Sequence, residues 1–132
     1  MPNPLFKKLG LKDGQKIILQ HFPENYFDLL IEVPEVEECE PGERADFIHW
    51  FGTELIDLRL DFPLLRDQMK EDGMIWISWP KKAAQKQTDL DYHVVKTIAS
   101  NLGLVDVKVC AIDKTWTATK YVIPLKDRKQ LG

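Results

Sequence analysis

The stretch from Trp79 to Asp89 gathers the residues best suited to meeting a ligand. Lys81, Lys82 and Lys86 bring three ammonium groups into one loop, directly after an apolar run. Such a loop could meet an anion, helped by the positive N-terminus of a helix that follows it. Thr88 or Asp89 is placed to cap that helix. Trp79 offers an aromatic face for stacking. The plainer reading puts Trp79 in the core, leaves the lysines in solvent and makes Asp89 a cap rather than a base. Trp116 opens a later strand and could come near the same sheet edge. His21 ends an early strand and could face the same mouth. As a general base it would need an orienting carboxylate, and Glu24 is close in sequence. The candidate ligand-binding set is therefore His21, Trp79, Lys81, Lys82, Lys86, Thr88, Asp89 and Trp116, with no catalytic residue assigned.

The remaining reactive types read as structural. Ser78 has no Gly-x-Ser-x-Gly surround, so it is not expected to be a nucleophile on an elbow. His49 lies in an apolar strand and reads as a satisfied core histidine. His21, His49 and His93 are separated, and no Cys-x-x-Cys or His-Glu-x-x-His spacing occurs, so no metal is indicated. Cys39 sits among glutamates and Cys110 sits mid-strand; both read as free, unreactive thiols. Lys120 lies among apolar strand residues and shares a face with Trp116, Ala118 and Val122 by alternation. If buried it would need a carboxylate, and Asp113 or Asp106 could serve.

These residues must be positioned by alternating strands and helices. Residues 1–13 read as an N-terminal arm, and Lys12 to Lys16 as a turn. Ile17 to Leu19 predicts a strand, and Tyr26 to Leu30 a short helix capped by Pro23 and Asn25. Residues 32–46 hold seven acidic residues with Pro34, Pro41 and Gly42. They predict a loop with a weak edge strand over 36–39. The plainer reading is a solvated connection; the sharper one is an acidic, partner-facing surface. Asp46 to Phe51 predicts a strong strand. Thr53 could cap a helix with a broad apolar stripe from Leu55 to Met69, kinked or broken at Pro63 and stopped by Glu71, Asp72 and Gly73. Met74 to Trp79 predicts a strand. Leu90 to Leu102 has helical spacing and ends at Gly103. Residues 105–112 and 116–123 alternate and predict an antiparallel hairpin. Residues 125–132 read as a charged, frayed tail. The expected fold is α/β: a Rossmann-like, mostly parallel sheet with flanking helices and a C-terminal antiparallel hairpin.

Two resemblances follow from these segments. Strand, helix, strand, helix and a closing hairpin resemble the second half of a class I S-adenosylmethionine-dependent methyltransferase, and Asp72-Gly73 with strand 74–79 resembles its fifth-strand region. In addition, Lys7-Lys8-Leu9-Gly10 with Lys12 and Gly14, Trp76 to Lys82, Thr88 to Leu90, and Gly103 to Asp113 followed by Trp116 resemble the bacterial family called domain of unknown function 3052. That kinship implies no activity. Ala84 and the Trp116 to Lys120 stretch depart from the glycine-bearing loops usual there. The methyltransferase resemblance implies a glycine-rich loop after the first strand, because glycine lets the backbone approach the cofactor. Here that loop is Gln20-His21-Phe22-Pro23-Glu24-Asn25, without glycine. No cofactor is expected.

Composition sets the outer limits. The chain has 132 residues, 44% of them apolar and 30% charged, with a net charge of −3. One globular domain spanning 1–132 is expected. Net acidity argues against nucleic-acid binding through bulk charge. No apolar run approaches the roughly 18 residues of a membrane span. No apolar stretch follows Lys7 and Lys8, so neither a secretory signal nor a membrane partner is expected, and a cytoplasmic home follows. The functional expectation is a non-catalytic binding or interaction module for a small anionic ligand or a protein partner. The alternatives are a small enzyme with His21, Lys81 and Asp89 converging, and a nucleic-acid accessory domain. A homo-oligomer could form through the hairpin edge.

Overall fold

Two apolar runs in the middle of the chain become the centre of a six-stranded sheet. The computed structural model describes residues 3–128. Ala45–Phe51 forms β3 and Met69–Pro80 forms β4, paired in parallel. Phe47 to Phe51 are all fully buried. A strand with no exposed face needs a layer on each side, which is why its sequence does not alternate. Lys16–Gln20 (β1) lies parallel to β3, and Glu37–Glu38 (β2) lies parallel to β1. On the other side Trp116–Val122 (β6) pairs antiparallel with β4, and Val105–Ala111 (β5) pairs antiparallel with β6. The order β2-β1-β3-β4-β6-β5 makes this a mostly parallel, Rossmann-like sheet with a closing hairpin. Chain direction across the sheet reverses between β1 and β3. Open α/β sheets hold ligands at the carboxyl ends of strands around such a switch point.

Helices cover both faces. Leu55–Asp67 (α3) and Tyr92–Asn101 (α4) bury Leu58, Phe62, Leu65, Val95 and Ala99 against Ile48, Trp50, Ile75 and Ile77. Leu5–Leu9 (α1) and Tyr26–Leu30 (α2) pack with Phe47, Phe51 and Trp76 on the opposite face. Among the described residues no helix is long and apolar enough to cross a membrane.

Several local expectations are corrected. Residues 1–13 are not a free arm, since α1 lies within them. Leu5, Leu9 and Leu11 enter the core, and the Trp76 indole Nε1–H donates to the Leu9 carbonyl at 2.8 Å. Gly10 closes α1 with φ +85°, a left-handed conformation that glycine adopts without strain. Glu71-Asp72-Gly73 does not stop α3. The helix ends at Asp67, and residues 70–73 form an irregularity inside β4, where four residues between Met69 and Met74 stand against the single residue between Ala45 and Phe47 of β3. A Cβ on Gly73 would meet the Ala45 carbonyl at 2.9 Å, so glycine is needed for backbone approach rather than for a cap. Pro63 lies within α3, which continues through it. The predicted broad stripe is also too wide: Ile56, Leu60 and Leu64 face solvent, opposite Leu58, Phe62 and Leu65. In the C-terminal tail, 125–127 form a 3-10 turn and the Arg128 Nε–H donates to the Ile123 carbonyl at 2.9 Å. The rest of the predicted tail lies outside the described residues.

Candidate functional site

The β4–α4 loop carries most of the predicted site, at the carboxyl end of β4. A cleft of about 860 Å³ opens there, lined among others by Trp79, Lys81, Lys82, Lys86, Thr88 and Asp89. Trp79 is only 6% exposed and belongs to the α3/α4 core, so it shows the cleft little of its surface. Lys82 begins a 3-10 turn, Lys82–Ala84, which Gln85 closes with φ +55°. Among the described residues none of Lys81, Lys82 and Lys86 pairs with a carboxylate.

The carboxylates beside these lysines are engaged elsewhere. Asp91, not Thr88 or Asp89, caps α4; its side chain accepts from the Val94 N–H at 2.8 Å. Asp89 instead accepts from the Leu55 N–H, the first residue of α3, at 2.7 Å. The Thr88 hydroxyl donates to the Thr53 carbonyl at 2.6 Å. Thr53 is therefore not the cap of α3. The cap position is Glu54, which makes no side-chain bond, and Asp89 supplies the acceptor from another loop. Asp89→Ala is expected to cost about 1 kcal/mol in urea unfolding, because an orphan helix N–H loses its acceptor. A carboxylate serving only as a base would leave stability unchanged.

His21 and Trp116 do not line this cleft. His21 follows β1 in a left-handed conformation, φ +58°, with its Nε2 3.4 Å from the Asp61 carboxylate of α3. Asp61, not Glu24, is the carboxylate beside it. The expected convergence of His21 with Lys81 and Asp89 on one cleft does not occur. Trp116 packs on the α1/α2 face, edge-on to Phe51 with ring centroids 5.2 Å apart. Its link to the loop is Lys86, whose Nζ lies 5.7 Å from the Trp116 ring centroid.

The switch-point crevice is filled by the protein's own aromatic side chains. Trp50 donates from Nε1 to Asp61 at 2.9 Å and lies edge-on to His21. A Cβ on Gly52, just past β3, would lie 2.2 Å from the Trp50 ring. On the other face Phe22 packs at a tilt on Tyr26, and Tyr26 lies edge-on to Phe51, beside the loop after β1. A nucleoside-bearing methyl donor held by a glycine loop at this point does not fit these residues.

A buried polar chain crosses beneath this crevice. Tyr26 Oη is 2.9 Å from His49 Nδ1, and His49 Nε2 is 2.6 Å from Ser78 Oγ. A neutral imidazole donates through one nitrogen and accepts at the other, which satisfies both contacts. Burial holds the His49 pKa down at about 3. Ser78 and His49 have the spacing of a nucleophile and its base, yet both are fully buried. Their role is structural, as the apolar surroundings of His49 predict.

Lys120 departs from expectation. Asp113 caps the following loop through the Thr115 and Trp116 N–H groups, and Asp106 accepts from Tyr92 Oη. Lys120 instead stands directly opposite Lys108, and burial, with Lys108 and Lys12 nearby, pushes its pKa down. Cys39 and Cys110 are free, and burial raises both thiol pKa values. Among the described residues no three His, Cys, Asp or Glu side chains come together as metal ligands.

Together these features define a Rossmann-like frame of the methyltransferase type. Solved structures with this frame include a magnesium protoporphyrin IX methyltransferase from Synechocystis PCC 6803 with bound S-adenosylhomocysteine (TM-score 0.60, 8% identity, 91% of this chain and 78% of that one). A S-adenosylmethionine-dependent methyltransferase from Aquifex aeolicus matches with TM-score 0.57 and 16% identity, covering 91% and 88%. A glycopeptide N-methyltransferase complexed with sinefungin matches with TM-score 0.56 and 8% identity, covering 91% of each chain. At these identities the likeness is one of fold. No family model matches the chain, and no curated relative does.

Proposed function

We propose that this chain is a non-catalytic binding module on a methyltransferase-like frame, taking a small anionic ligand in the cleft at the end of β4. One observation carries the reading. Three lysines surround the cleft without a carboxylate partner among the described residues, while Asp89 and Asp91 are held by backbone N–H groups. The ordered segments around Trp76 to Lys82 and Gly103 to Asp113 support kinship with the bacterial 3052 family. A cytoplasmic home fits the same reading. The enzyme alternative is weakened because His21 lies apart from Lys81 and Asp89.

The test is thermal unfolding of the purified protein with inorganic phosphate, pyrophosphate, nucleotides, S-adenosylmethionine and a short oligonucleotide. A ligand at a hundredfold its Kd adds roughly 2.7 kcal/mol, which raises Tm by several degrees. The expected result is a shift with a phosphate-bearing small molecule that disappears in Lys82→Glu/Lys86→Glu. Both lysines are exposed, so that variant keeps its fold. A shift with S-adenosylmethionine alone, or an unchanged response in the variant, would sink the reading. A salt-sensitive shift with the oligonucleotide alone would replace it with the nucleic-acid one.

A further inference from the structure

A second surface lies at the opposite edge of the sheet, independent of the lysine cleft. β2 is only two residues long, and it leaves the outer edge of β1 bare. The Cys39 N–H donates to the Ile17 carbonyl at 2.8 Å, and that is the last backbone bond on this side. Alternate residues of a strand direct their backbone groups to the same side, so the Leu19 N–H and carbonyl face this edge without a backbone partner among the described residues. A groove of about 540 Å³ runs alongside, walled by Ile17, Leu19, Phe22, Phe27, Val33 and Val36. Phe22, Phe27 and Val33 are each more than 40% exposed. Contiguous apolar exposure of this kind marks an interaction site.

Charge selects what covers it. Of the acidic residues in 32–46, Glu37 and Glu43 pair with Lys16, and Asp46 pairs with Lys70. Glu32, Glu35, Glu38 and Glu40 have no ion-pair partner among the described residues. Glu35 and Glu38 line the groove itself. Lys7 and Lys12 stand across a neighbouring depression and form no ion pair with Glu32 or Glu35. An anionic lipid surface or nucleic acid would be repelled here, whereas basic side chains flanking an apolar anchor would be drawn in.

We propose that this groove docks an extended segment of a protein partner in which basic residues alternate with apolar ones. Its apolar side chains would fill the space over Phe27 and Val33, its lysines or arginines would meet Glu35 and Glu38, and its backbone would reach the open edge at Leu19.

The experiment measures fluorescence anisotropy of three labelled synthetic peptides: lysine alternating with leucine and phenylalanine, the same with glutamate for lysine, and the same with serine for the apolar residues. The first is expected to bind, more weakly as salt rises, and to shift backbone amide resonances of residues 17–19 and 33–39. The other two should bind at least about tenfold more weakly, as should the first peptide to Glu35→Lys/Glu38→Lys. Phe27→Ser/Val33→Asp should abolish binding. Glu35, Glu38 and Val33 are exposed, so an unchanged circular dichroism melt is expected for Glu35→Lys/Glu38→Lys, and for Phe27→Ser/Val33→Asp a lowered Tm with the folded far-UV spectrum retained, because Phe27 also packs on Phe22 and Tyr26. Absence of binding, equal binding of the glutamate peptide, or equal binding by the groove variant overturns the proposal. So does self-association that Val33→Asp abolishes, because the occupant would then be a second copy.

Discussion

Acidification from pH 7 to about 4.5 is expected to remove about 3 kcal/mol of stability through His49 alone. The ring is fully buried between Tyr26 and Ser78, and burial holds its pKa at about 3 against 6.5 for a free histidine. The folded pKa is therefore the lower of the two. Below pH 6.5 the unfolded chain takes up a proton that the folded chain refuses, so unfolding gains about 1.4 kcal/mol per pH unit. The contribution is fully present above pH 6.5 and drains away as pH falls toward 3. Carboxylates titrate in part of the same window, so the comparison must be with His49→Gln, which keeps a donor and an acceptor but cannot ionise. The variant starts less stable, because its shape does not match the ring that stacks on Phe51. Its stability should nevertheless fall less steeply with acid, and the two urea-unfolding profiles should converge. Parallel profiles from pH 7 to 4.5 would show that His49 accepts a proton in the folded state and that the site is less dry than its packing implies.

How far the sequence reached depends on whether a feature is set by the chain locally or by its neighbours in space. The runs Asp46 to Phe51 and Met74 to Trp79 announce themselves as buried strands, and the alternation in 105–112 and 116–123 announces the hairpin, because each pattern is a property of consecutive residues. The layered, mostly parallel sheet follows from their order. Helix α1 is missed because five residues between Pro4 and Gly10 give little periodicity; it is stabilised by Trp76, far along the chain. The stripe on α3 reads too broadly because the helix is apolar on nearly every side, and sequence does not say which side meets the sheet. Asp89 is the clearest case at the site. Its type and position suggest a cap, and it is one, but for a helix that begins 34 residues earlier. His21 and Trp116 read as part of one mouth because both flank strand ends. The pleat sends Trp116 to the face opposite Trp79, which no spacing argument anticipates without the register. The acidic stretch is visible in composition, while the groove beside it is assembled from β1, α2 and the 33–39 segment and is invisible in any one of them.

Gly52→Ala is expected to cost about 3 kcal/mol, lowering Tm by roughly 10 °C, although it adds a single methyl group. The position lies at the carboxyl end of β3, beside the switch point, where open α/β sheets hold ligands. Here the room is taken. The new Cβ would lie 2.2, 2.5 and 2.9 Å from three atoms of the outer Trp50 ring. That ring is fully buried and anchored through Nε1 to Asp61, so it cannot swing aside as an exposed side chain would. Either the backbone after β3 moves, or the indole leaves Asp61 and loses its hydrogen bond. Trp50→Phe removes the clashing ring atoms and costs the Asp61 bond. In that background Gly52→Ala should be milder by at least about 1 kcal/mol, a coupling that a double-mutant cycle in urea measures directly. The opposite pattern would carry equal meaning. If Gly52→Ala left stability unchanged and instead removed the response to a nucleoside-bearing ligand, Trp50 would be a movable gate. The crevice would then be a cofactor site, and the case for a non-catalytic module would fail.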